Sequence, residues 1–385
     1  MGFGPRVIVL ASLGLIAAGA TIDRGEDADS THEIMARIVT ALQVALPPSF
    51  DEERFQQAPR RAEILAALEE LASHSERLER HSVRGNAGFA FLNHSLAADA
   101  REIHERYAHG HFEQSRFLLH NLIDVCVACH SRLPDEAERS LGRTLASHEA
   151  IADLPLDARA RYEIATRQFD RALATLETWF ADPAVSPGDV DLTGEYENYL
   201  EVSLRVRRDP QRAIHTFAKL LERADVPDRV RRNVETWIDS LAKLLVARLD
   251  GSPLKRAKAR LQATRADEVA RDQRAALVDA IAASGILHRY VTEQTEASPE
   301  LGEAYYLLGV IEAEIGRSLW ASQTEHFLET AIRIGPGEPY AEPALELLEA
   351  FLVTGYTGSG GEHVPADVRS RLAELGARID RAKAR

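Results

Sequence analysis

Apolar residues recur at helical spacing from about residue 30 to the end of this chain, and the alternation of a half-buried strand is missing. The first stretch opens at Ser30-Thr31-His32-Glu33, with Ser and Glu three apart as in a capping box. Met35, Ile38, Leu42 and Ala45 follow on one face, and Pro47-Pro48 is expected to end the helix for want of N–H donors. A second helix is predicted from about Pro59 to His81, with Ile64, Leu68, Leu71 and Leu78 inward. The third opens after Gly85-Asn86, carries Phe89, Leu92, Leu96, Ile103 and Tyr107 on one stripe, and stops at Gly110 as a C′ residue. The fourth runs from about His111 to Leu133, with Leu119, Leu122, Cys126 and Cys129 inward and Pro134 closing it. Four such helices with mostly short loops predict an antiparallel four-helix bundle.

From about Leu154-Pro155-Leu156-Asp157 the character changes, and helical hairpins of about 30–40 residues follow. Tyr162, Ala165, Phe169, Ala172 and Leu176 make one copy; Tyr196, Leu200, Ala213, Phe217 and Leu220, with Pro227 after them, make another. The clearest has Tyr305, Leu308, Gly309 and Gly316, then Phe327, Ala331 and Pro336. This spacing resembles the W-x-x-L-G…A-x-x-x-F…P pattern of the tetratricopeptide repeat, with about three extra residues in its turn. The resemblance implies an α-solenoid with a concave, partner-binding surface; a generic array of helical hairpins is the plainer alternative. Lys255, Arg256, Lys258 and Arg260 lie in the stretch that fits the repeat worst and read as a solvated helix face. The expected fold is therefore all-α. Its parts are an export segment at 1–20, a bundle at 21–140, a linker at 141–155 and a repeat region at 156–385.

The export segment rests on Arg6, the apolar run Val7 to Ala18, and the small-x-small site Ala18-Gly19-Ala20. The run is too short for a bilayer, which needs about 20 residues. A periplasmic or secreted protein is expected, with no membrane span after cleavage. Hydrophobic residues at 45% can build real cores, and the net charge of −14 makes nucleic acid a poor partner and a basic protein a better one.

Cys126-Val127-Ala128-Cys129-His130 is a C-x-x-C-H string, the attachment signature of a c-type haem. Two thiols three residues apart add across the haem vinyl groups, and the histidine that follows reaches the iron from one face. These are the only two cysteines, so the second pair that a zinc site needs is missing. A thioredoxin-like pair would need a βαβ context, and nothing here reads as strand.

With this motif in its fourth helix, the stretch from about 30 to 134 resembles the class II c-type cytochromes, the cytochrome c′ and c-556 family. The resemblance implies that Cys126 and Cys129 hold one haem c and that His130 is the proximal iron ligand. Leu133 and Pro134 stand where the family often has Phe-Arg, and Thr31 where it usually has an arginine. In c-556-like members a methionine of the first helix binds the iron, whereas in cytochrome c′-like members an apolar residue leaves it five-coordinate. Met35, the only methionine besides Met1, is the candidate distal ligand; core filler is its ordinary role. His32, His94 and His120 are the alternative distal ligands. The string from His104 to His109 has one residue too many for H-E-x-x-H, and His104, His109 and His111 suit a helix C-terminus.

Two function classes follow. An electron carrier would switch between ferric and ferrous haem, its repeats docking a redox partner protein. A gas-binding protein would take nitric oxide or carbon monoxide at an open distal site. A scaffold with a structural haem is a third reading. No nucleophile–base pair, phosphate loop or carboxylate dyad is recognisable in the second half, so an enzyme is not expected.

Overall fold

The structure is a computed structural model that describes residues 30–82, 87–130, 154–247, 249–266, 276–294, 296–315, 323–359 and 361–384. Among them the chain is all-α: seventeen α-helices and one short β pair. The first part holds α1 (Thr31–Ser49), α2 (Glu52–Gln56), α3 (Ala58–Ser82), α4 (Ala87–Ala108) and α5 (Phe112–His130). Then come α6 (Leu156–Ala165), α7 (Phe169–Ala181), α8 (Pro187–Thr193), and α9 (Glu195–Glu201), which runs into a π-helical turn, Val202–Arg207. The last part comprises α10 (Pro210–Leu221), α11 (Asp228–Val246), α12 (Pro253–Ala266), α13 (Leu277–Glu293), α14 (Pro299–Ile315), α15 (Thr324–Ile334), α16 (Ala341–Gly355) and α17 (Ala366–Lys383). Between α16 and α17, β1 (Thr357–Gly358) pairs antiparallel with β2 (Gly361–Glu362), a strand pair absent from the expected elements.

In the first part α1 packs on α3, α3 on α4, α4 on α5, and α5 on α1. Ser30 caps α1: the Glu33 N–H donates to Ser30 Oγ at 3.3 Å and the Ser30 N–H donates to Glu33 Oε2 at 2.7 Å. This reciprocal pair holds the Glu33 carboxyl below its usual range. Ile38, Leu42, Leu68, Leu71, Leu96, Ile103, Leu119 and Leu122 are buried between these helices, each worth about 2 kcal/mol relative to exposure. Gly110, at φ 80°, ends α4 in a Schellman motif: its N–H returns to the Tyr107 carbonyl and that of His111 to Arg106.

The predicted end of the first helix needs correcting. Helix α1 runs through Pro47-Pro48 to Ser49. The prolines fall in the last turn, where Phe50 and Asp51 N–H return to their carbonyls and the Ser49 hydroxyl donates to the Leu46 carbonyl. The loop after it holds α2, capped by Asp51, whose carboxylate accepts the Arg54 N–H at 3.0 Å. Helix α2 seats Phe55 edge-on against Tyr107, whose hydroxyl donates to the Phe55 carbonyl at 2.8 Å.

Helix α6 packs directly on α5, and successive helices then pack on their neighbours: α6 on α7, α10 on α11, and each of α12 to α17 on the next. One apolar cluster is continuous from Ile34 in α1 to Ile281 in α13, and a second gathers α12 to α15. Lys258 and Arg260 of the basic run pair with Glu303 and Asp279.

Candidate functional site

The C-x-x-C-H residues form the last turns of α5. Cys126, Cys129 and His130 share one face, as residues three and four apart on a helix do. Cys126 is 7% exposed, and Cys129 packs half-buried against the same core. Helix α6 packs on α5, and its Tyr162 is buried in the same apolar cluster as Cys126. Burial raises its hydroxyl above the ordinary tyrosine range; Gln43 of α1 opposes the shift and Cys126 adds to it, so three helices meet at this hydroxyl.

His130 is oriented from outside its own helix. Its Nδ1–H donates to the main-chain carbonyl of Ala165, at the end of α6. That carbonyl is available for a local reason. Helix α6 ends in a Schellman motif, in which the Gln168 N–H returns to Glu163 and the Arg167 N–H to Ile164, with Arg167 left-handed at φ 61°. This pairing leaves the carbonyl of the last helical residue unmatched within the helix, and the imidazole takes it. The bond fixes the tautomer so that Nε2 carries the lone pair, the way metal-ligating histidines are generally held.

The candidate distal residues sit differently. Ser49 of α1 meets His120 of α5 at 2.8 Å, whereas Gln43 and Cys126 meet at Tyr162. Met35 is half-buried on α1. His32 is exposed in the first turn of α1. The His94 ring is 70% exposed and bonds Glu79 at 2.7 Å. The Ser49 hydroxyl donates to Leu46, so it accepts from His120 Nε2–H, which occupies that nitrogen. His120 also stacks on Phe50 at 4.6 Å, and burial, with Arg116 nearby, lowers its pKa. It lies about 15 Å along α5 from His130. Met35 is half-buried against the apolar cluster that includes Cys126, and the His94 and His120 rings bond Glu79 and Ser49.

His109 Nδ1 bonds the Glu105 carbonyl at 2.7 Å within its own helix end, and His111 is exposed beyond it. Among the described residues no three His, Cys, Asp or Glu side chains gather as a metal-ion site, and no helix is long and apolar enough to cross a membrane. The export segment at 1–20, Leu133-Pro134, and most of the linker lie outside the described residues.

Sequence reasoning missed Ala165 and Tyr162 as parts of this site, because both fit the repeat spacing as ordinary core positions. A carbonyl acceptor has no side-chain signature by which to find it. The chain matches no family model, no curated protein and no solved structure.

The residues present fit a c-type haem. The thiols are one turn apart on one face, and the adjacent imidazole is held with Nε2 as its lone-pair nitrogen. Cys126, Cys129 and His130 would hold the group, with Met35 as the first-helix candidate for its far side.

Proposed function

We propose that this protein is an exported, monohaem c-type cytochrome that works in electron transfer, its first four long helices forming an antiparallel haem-bearing bundle. Cys126 and Cys129 hold the haem, His130 is the proximal ligand and Met35 the distal one. The observation that carries this reading is the C-x-x-C-H turn whose histidine is already fixed through Nδ1 to the Ala165 carbonyl. Haem, when bound, supplies a one-electron ferric–ferrous couple. The protein's own part is to orient the imidazole, exclude water with the aliphatic faces of α1 and α5, and present a soft thioether that favours the reduced state.

The helices from α6 onward act as a tetratricopeptide-like array that docks a redox partner. In support, Gly309 of α14 lies so close to α15 that an added Cβ would meet Leu328 at 2.5 Å, the tight approach the repeat spacing calls for. With a net charge of −14, the partner surface is basic.

The test is an optical spectrum of the matured protein. Low-spin bands are expected in both oxidation states, and Met35→Ala should convert them to high spin. Rapid carbon monoxide binding by the untreated ferrous protein would instead establish the gas-binding alternative of cytochrome c′ type. An unchanged Met35→Ala spectrum would return Met35 to the core.

A further inference from the structure

We infer that the helical half completes the haem site: the Ala165 carbonyl, aimed by the turn at Arg167, is the outer-shell acceptor that positions His130. This rests on the c-type cytochrome reading above. The contact joins two parts of the chain 35 residues apart. It is not an accident of a loose loop. Ala165 closes α6, Tyr162 and Ile164 beside it are buried in the cluster shared with α5, and Phe169 after it is fully buried. The guanidinium groups of Arg167 and Arg207 lie over the Phe169 ring at 5.5 and 5.6 Å, and Gln168 Nε2–H donates to the Thr166 carbonyl at 3.4 Å. The turn is therefore held from several sides, and its geometry sets where the carbonyl points.

A hydrogen bond from Nδ1 makes Nε2 more basic, which favours ferric over ferrous iron and lowers the potential. Ala165 and Arg167 are thus positioning residues that act through His130.

The test uses the full-length, matured protein with two substitutions at Arg167. Glycine adopts φ 61° readily, whereas valine is strained there. Arg167→Val should keep its covalent haem but favour the ferrous form about tenfold, a rise of ~59 mV for a one-electron couple. Arg167→Gly should stay near the wild-type potential. Equal potentials in all three proteins overturn the proposal. A second measurement does not depend on the strained variant: nitrogen NMR of the haem-free full chain carrying Cys126→Ala and Cys129→Ala. His130 protonated on Nδ1 is expected, and a dominant Nε2–H tautomer overturns the proposal. If the wild-type protein takes up no covalent haem, the cytochrome reading falls by itself, and the tautomer still reports whether the Ala165 contact exists.

Discussion

His326 shows how single side chains in this fold respond to their surroundings. Burial pushes its pKa down to about 4 from the ordinary 6.5, and Glu329 opposes this only in part. Between those values the unfolded chain binds the proton and the folded chain does not, so stability should fall as pH drops from about 6.5 to 4 and level off below. The ring is partly exposed, so we expect about 2 kcal/mol rather than the full shift. Urea midpoints of wild type and His326→Gln across this range would show it, and parallel pH profiles would rule it out. At this scale the sequence was informative where a side chain makes the contact. Ser30 with Glu33 and Gly110 at φ 80° do what their types imply. It was silent on Ala165, whose role belongs to its main chain and to a turn made by other residues.

Among the elements, helical periodicity identified the inward faces: nearly every position read as inward on α3, α4 and α5 is buried where its side chain is described. Boundaries depended on finer energetics. Two prolines did not stop α1: the bonds they cannot donate fall at its very end, where the Phe50 and Asp51 N–H groups close the last turn onto the proline carbonyls. The π-helical turn at Val202–Arg207 left no trace in the apolar pattern, since one extra residue per turn hardly disturbs it over so short a run. Close approach was legible through glycine. With Leu328 fully buried and 2.5 Å from where the new Cβ would stand, Gly309→Ala should destabilise the α14–α15 pair by about 1–3 kcal/mol. A thermal unfolding curve that does not move would show that the pair can open to accept a methyl.

Across the whole molecule, the part least visible in the sequence is a buried ionic cluster. The Arg205 side chain, 2% exposed, lies 3.1 Å from Glu201 and 3.6 Å from Glu312, and its Nε–H donates to Ser284 Oγ at 2.7 Å. It ties the π-helical turn to α13 and α14, where the apolar cluster of the first part meets the second. Nothing in the local pattern distinguishes Arg205 from the exposed arginines nearby, because Ser284 and Glu312 come from 79 or more residues away on α13 and α14. Such a cluster need not beat an apolar core in stability, but removing one member strands the others. Arg205→Met should cost about 3–5 kcal/mol in denaturant unfolding. If it is neutral, water reaches Glu201 and Glu312.

On the proposed cytochrome reading, the burial of Cys126 bears on the timing of maturation. Thioether bonds form once and do not reverse, and a thiol that is 7% exposed is a poor target. On that reading the opportunity would belong to the interval after α5 has emerged and before α6 settles upon it, and a chain that folded too early would close its own door. Thiol labelling of the haem-free folded chain gives the measurement: Cys129 should react well ahead of Cys126, with the gap vanishing in denaturant. Equal rates in the folded chain would mean that α6 sets no such deadline.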